Sequence, residues 1–118
     1  MPKILLIEDD HNLGLMVKDV LEFSEHTVHL LRNPSKAIEI LLDDVYDLVI
    51  LDKLLSGVDG TDICQNIRKT ALIASIPILM MSALSESKAH CMEAGATDFI
   101  YKPFDIDEFV DQIKKTLK

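Results

Sequence analysis

The run Ile4-Leu5-Leu6-Ile7 is apolar at every position, and Leu48-Val49-Ile50-Leu51 repeats the pattern. A strand with one wet face alternates apolar and polar residues, so a run without a polar position belongs to a strand covered on both faces. What separates these runs has helical spacing. After the first, Leu13, Met16, Val17, Val20 and Leu21 fall on one face of a helix. Residues 27–31 read as the second strand, Asn33-Pro34 as an N-cap followed by proline at the first helical position, and the next helix turns Ala37, Ile38, Leu41 and Leu42 inward. Asp59-Gly60 marks a turn before a helix carrying Ile63, Cys64 and Ile67. Residues 76–81 form strand four, with Pro77 near its start, where a missing donor does least harm. Ser85 opens the following helix and Ala94-Gly95-Ala96 ends it. Strand five spans residues 98–101, and the last helix opens with Asp105 as N-cap and Glu108 three residues on, with the stripe Ile106, Phe109, Val110, Ile113, Leu117.

Five strand-then-helix units with short connections predict an α/β fold: a five-stranded parallel sheet, doubly wound, with helices on both faces. With 118 residues, the chain reads as one domain, 1–118. At that length roughly two thirds of the unfolded surface can be buried, so neither disulfides nor a structural metal are needed. Cys64 and Cys91 form no CxxC pair and read as small buried hydrophobes. Twelve Lys and Arg against twenty Asp and Glu leave a net charge of −8, which repels nucleic acid and anionic membrane surfaces. No apolar run approaches the roughly 20 residues of a membrane span, and the start lacks the apolar stretch of a signal peptide. The expectation is a cytoplasmic protein that binds neither DNA nor membrane directly.

In open parallel sheets the ligand site lies at the carboxyl ends of the strands, near the point where strand order reverses. Strand one runs into Glu8-Asp9-Asp10, strand three into Asp52, strand four into Ser82 and strand five into Lys102. Four strands thus deliver an acidic cluster, one hydroxyl and one amine to the same edge. Clustered carboxylates raise each other's pKa unless a cation neutralises them, and a hard divalent ion such as Mg²⁺ takes one or two carboxylates while keeping its waters. A carboxylate beside it can attack phosphorus, with Lys102 and the Ser82 hydroxyl holding the equatorial oxygens. Asp10 reads as the cap of the first helix. His11, His26, His29 and His90 include no i, i+4 pair, His26 and His29 flank a strand start, and all four read as surface or satisfied histidines, with Lys114-Lys115 as the favourable cationic end of a helix.

With these residues in view, the sequence closely resembles the receiver domain of two-component response regulators. The resemblance rests on Ile7-Glu8-Asp9-Asp10, on Leu51-Asp52 followed by Val58-Asp59-Gly60, on residues 78–83, and on the stretch from Gly95 to Phe104 ending in Lys102-Pro103-Phe104. It implies the flavodoxin-like strand order 2-1-3-4-5, an order for which a member of this family is a standard example. It further implies that Asp52 accepts a phosphoryl group from a sensor histidine kinase or a histidine phosphotransfer protein. Mg²⁺ would be held by Asp9, Asp52 and the Leu54 backbone carbonyl, with Glu8 acting through water. Lys102 would pair with the phosphoryl group, its bond to Pro103 being cis. Ser82 would swing toward the phosphoryl oxygen, and Phe99 would rotate into the vacated space, switching the surface offered to a downstream effector or a fused output domain.

Several positions depart from the family pattern. Ser56 stands where proline is usual, which predicts a less rigid loop. Thr97 and Gln112 replace charged residues that pair DNA-binding members, which predicts a monomer when unphosphorylated. Leu54 and Leu84 offer nothing to position a hydrolytic water, which predicts a long-lived phosphoryl group and only slow autodephosphorylation. Two other readings fit less well. A haloacid-dehalogenase-type phosphatase would need an aspartate where Gly57 stands, and a flavodoxin-like cofactor binder would need a glycine-rich turn where Glu8-Asp9-Asp10 stands.

Overall fold

The computed structural model describes residues 1–117. Five parallel strands, β1 (Lys3–Ile7), β2 (Thr27–Leu31), β3 (Leu48–Asp52), β4 (Ile78–Ser82) and β5 (Asp98–Tyr101), form one sheet in the order β2-β1-β3-β4-β5. The helices are α1 (His11–Phe23), α2 (Ala37–Asp43), α3 (Gly60–Lys69), α4 (Ser87–Ala94) and α5 (Ile106–Leu117). The apolar runs explain this architecture directly, because alternate residues of each strand enter two separate cores. Leu5, Ile7, Val49, Leu51, Ile78, Met80 and Phe99 pack with α2, α3 and α4 on one face. Ile4, Leu6, Leu48, Ile50, Leu79, Met81 and Ile100 pack with α1 and α5 on the other. Phe109 is fully buried there and stacks on Phe104, with ring centroids 4.7 Å apart; burying such a ring stabilises the fold by about 2–3 kcal/mol.

The expected helix ends hold where a side chain reaches a free N–H. Asp10 caps α1 by accepting from the Leu13 N–H at 2.9 Å, and Asp105 precedes α5 and accepts from the Glu108 N–H at 2.7 Å. Asp59 caps α3 through the Thr61 N–H at 2.9 Å. Gly95 ends α4 with φ of 112°, a conformation that costs side chains other than glycine, and a β-carbon there would meet the Arg68 side chain.

Several expectations need correction. Asn33 caps a single 3₁₀ turn (Pro34–Lys36), and α2 begins only at Ala37. Ser85 does not open α4: the helix starts at Ser87, and the preceding Glu86 makes no capping side-chain bond. Strand four runs from Ile78 to Ser82 rather than from 76 to 81, because Pro77 has no N–H to give the ladder and contributes only its carbonyl, which accepts from the Val49 N–H at 2.9 Å. Met16, Leu42 and Ile106 are exposed, since a helix lying on a flat sheet buries a narrower face than its apolar stripe offers. The loop after Asp52 contains a hairpin of two two-residue strands, Leu54–Leu55 and Val58–Asp59, outside the main sheet. A 3₁₀ turn at Ala71–Ile73 was likewise not foreseen.

Candidate functional site

The strand order reverses between β1 and β3, and the residues that end those two strands meet. Asp52, the last residue of β3, and Glu8, just past β1, are both buried, at 5% and 1% exposure. Taking two carboxylates out of water side by side is costly unless a cation joins them. Lys102 supplies it from the end of β5: its Nζ donates to Glu8 Oε1 at 3.0 Å and to Asp52 Oδ2. The other Asp52 oxygen accepts from the Leu54 N–H at 3.1 Å, which fixes the carboxylate in its loop. The Lys102-Pro103 peptide is cis.

One amine does not balance the charge. Burial, and then the neighbouring Asp52, push the Glu8 carboxyl up to about 7 despite its contact with Lys102. Burial alone would lower Lys102, but Asp52 and Glu8 outweigh it and hold the amine above its ordinary value. The cluster therefore carries surplus negative charge on hard oxygen donors, which is the chemistry a small divalent cation answers. Among the described residues no three His, Cys, Asp or Glu side chains converge closely enough to hold a metal by themselves. A cation that takes one or two carboxylates and keeps several waters does not require three.

Asp9 lies at the rim. Its Oδ2 accepts both the backbone N–H and the hydroxyl of Ser56, in the turn of the short hairpin. The Ser56 hydroxyl is the largest influence holding the Asp9 carboxyl below its usual value. The loop expected to be slack for want of proline is thus tied across the site. Leu54 has an exposed side chain and a backbone paired with Asp59, so only its main chain faces the loop chemistry.

Ser82, at the end of β4, is buried; its Oγ lies 2.9 Å from Ser87 Oγ and accepts from the Leu84 N–H at 3.1 Å. Phe99 is already inside the core, edge-on to Tyr101 with centroids 4.8 Å apart. Tyr101 is half exposed, and its hydroxyl donates to the Ser85 carbonyl at 3.2 Å.

Two residues near the site escaped the sequence reading. Lys53 is buried beside Asp52 and pairs with Asp59 at 3.3 Å, so the α3 cap is also a lysine partner. A lysine at a strand end followed six residues later by an aspartate was the available signal. Ser87, the partner of Ser82, gives none, because α4 starts there without a capping side chain to mark it. Thr97 and Gln112 have internal partners: Thr97 Oγ1 accepts from the Ile78 N–H at 3.0 Å, and Gln112 Nε2 donates to Asp98 Oδ2 at 2.6 Å. His29 Nδ1 lies 2.9 Å from the Tyr46 hydroxyl. Cys64 and Cys91 are both buried free thiols. No helix among the described residues is long and apolar enough to cross a membrane.

Residues 4–114 match the family model described as the response regulator receiver domain. The chain is 34% identical over its whole length to response regulator ArlR of Staphylococcus saprophyticus and covers 53% of that protein. It is 33% identical, again over its whole length, to the DNA-binding dual master transcriptional regulator RpaA of Synechocystis, and covers 50% of it. The chain therefore spans about half the length of these relatives. Among solved structures, a putative response regulator from Chloroflexus aurantiacus superimposes with a TM-score of 0.93 at 32% identity, over 99% of this chain and 98% of the other.

Proposed function

The chain belongs to the response regulator receiver family, and we propose that within it Asp52 is the phosphoacceptor, charged by a phosphohistidine of a sensor kinase or a histidine phosphotransfer protein. The observation that carries this reading is the joint contact of Lys102 with Asp52 and Glu8 at the point where strand order reverses. In the transfer, an Asp52 carboxylate oxygen attacks phosphorus, the O–P bond forms as the N–P bond of the donor breaks, and the imidazole leaves with the electron pair. Lys102 holds the phosphoryl oxygens by charge, and the Ser82 hydroxyl, on leaving Ser87, gives them a further donor. Asp9 and Asp52 would hold Mg²⁺ through carboxylate oxygens, the Leu54 carbonyl would join them, and Glu8 would act through water. When bound, the ion supplies the positive charge that the cluster lacks and neutralises the phosphoryl oxygens.

Ser82 is the residue through which the site's state reaches α4, and the packing of Phe99 beneath Tyr101 follows it. The expected partner on the output side is a downstream effector or a fused output domain. The internal bonding of Thr97 and Gln112 supports a monomer in the unphosphorylated state. Exposed, apolar Leu54 and Leu84 beside the site support a long-lived phosphoryl group; a lifetime of seconds would count against that. The test of the whole reading is intact mass after incubation with acetyl phosphate. One phosphoryl adduct is expected with Mg²⁺, none with a chelator and none in Asp52→Asn. An adduct that persists in Asp52→Asn places the acceptor elsewhere.

A further inference from the structure

Ser56 reaches across from the hairpin turn to Asp9 with both of its donors, and both land on the same oxygen, Oδ2. Among the described residues the two full hydrogen bonds to the Asp9 carboxylate both come from Ser56, with the Asp9 backbone N–H and Glu8 as lesser neighbours. A carboxylate fixed through one oxygen and open at the other is the arrangement in which an outer partner orients a metal ligand without competing for it. Proline, usual in the family at this place, has neither a backbone N–H nor a hydroxyl and could make neither bond. Serine here supplies two donors that proline would lack, so it is more than a loss of loop stiffness. We propose that Ser56 is a positioning residue for the divalent cation, holding Asp9 through Oδ2 so that its other oxygen would be left to the metal. The inference rests on the reading of Asp9 as a cation ligand.

The consequence is a graded dependence of metal affinity on what residue 56 can donate. Threonine keeps the hydroxyl and the N–H, alanine keeps the N–H alone, and proline keeps neither. Loss of an outer-shell partner typically weakens metal binding about 10–100-fold. Mn²⁺ affinity, read from the free-ion signal in electron paramagnetic resonance and repeated with Mg²⁺ by calorimetry, is therefore expected to match wild type in Ser56→Thr. It should be several-fold weaker in Ser56→Ala and about 10-fold or more weaker in Ser56→Pro. The thermal midpoint of Ser56→Ala in chelator should stay at the wild-type value, which separates positioning of the ligand from general support of the loop. Should Ser56→Pro fail to fold, the Ser56→Thr and Ser56→Ala pair decides alone. Equal or tighter Mn²⁺ binding in Ser56→Ala, with binding lost in Asp9→Asn, overturns the role of Ser56 and leaves Asp9 as a ligand. Undiminished binding in Asp9→Asn overturns both.

Discussion

Both edges of the sheet set a lysine against carboxylates. At the amino edge, Lys3 Nζ pairs with Asp44, its backbone N–H donates to Asp47 at 2.8 Å, and the amine lies 4.9 Å from the centre of the Tyr46 ring. At the carboxyl edge, Lys102 pairs with Glu8 and Asp52. The residue chemistry is nearly the same, but the side chains of Lys3 and Asp44 are 32% and 54% exposed, whereas those of Glu8 and Asp52 are 1% and 7% exposed. Water screens the first pair and releases its partners at little cost. In the second, surplus charge has nowhere to go, and Glu8 is driven up to about 7. Hollow space misleads here: a cavity of about 550 Å³ lined by Leu42, Val45, Leu72 and Pro77 lies at the amino edge, away from the chemistry. Burial of mismatched charge marks the site, and cavity size does not.

The contrast can be attacked hardest through the backbone. Gly60 opens α3 with its N–H 2.6 Å from the Lys53 carbonyl, and a β-carbon on it would stand 2.1 Å from the Asp52 carbonyl oxygen and 3.0 Å from Lys53 Cα. Both obstacles are main chain and cannot swing away. Gly60→Ala should therefore cost about 3 kcal/mol in urea unfolding, at the upper end of overpacking effects, and should cut phosphoryl uptake by more than its stability loss explains. Unfolding at the wild-type denaturant midpoint would mean that the loop under Asp52 is not held as tightly as the geometry states.

The next largest effect belongs to the charge itself. Lys102→Ala in chelator leaves Glu8 and Asp52 facing each other without a cation, and breaking a buried pair is costly. Glu8 relieves part of the cost by taking a proton, so the loss should be about 2 kcal/mol at pH 8 and smaller at pH 5. The direction follows from Glu8 in the wild type as well. Its folded value of about 7 stands above its ordinary 4.5, so the folded chain holds a proton that the unfolded chain releases. That contribution is full below about pH 4.5 and is lost as pH rises through 7. Glu8→Gln should remove this part of the decline, and added Mg²⁺ should restore part of the stability of Lys102→Ala. Denaturant titrations of the three proteins at pH 5 and pH 8 check all of this; a Lys102→Ala loss that grows toward pH 5 would contradict it.

The two edges also differ in how legible they were. Strand-end residues are readable because a buried parallel strand announces itself by an unbroken apolar run, and the next polar residue must stand at the edge. Glu8, Asp52 and Ser82 are legible in this way at the ends of β1, β3 and β4, whereas β2 and β5 carry polar residues and are legible mainly from the alternation of strands with helices. The hairpin between Asp52 and Gly60 is not, because its strands are two residues each and no periodicity can develop over that length. The Ser56 contact to Asp9 joins residues 47 apart in sequence and depends on that hairpin, so proline's absence could be noticed but its consequence could not. Ser87 was hidden for a similar reason. The start of α4 lacks a capping side chain, and without one the sequence gives no mark for the first helical turn. Met16 and Ile106 lie on apolar stripes yet are exposed, because hydropathy alone does not tell how wide a face the sheet covers.

The smallest expected effect is the one that tests whether burial is the right distinction. Lys3→Met removes the amine from Asp44 and from the face of Tyr46, while the backbone bond to Asp47 survives because it belongs to the main chain. The aliphatic stem can still lie on the Tyr46 ring, so the apolar part of the contact is kept. A partly exposed ion pair of this kind contributes about 0–1 kcal/mol, so at physiological salt the thermal midpoint should barely move. At low salt a slight loss should emerge, since Asp43, Asp44 and Asp47 then feel one another with one cation fewer. A shift as large as that of Lys102→Ala would mean that the partly exposed Lys3 holds the fold as firmly as the more buried Lys102, and burial would no longer explain what distinguishes the carboxyl edge.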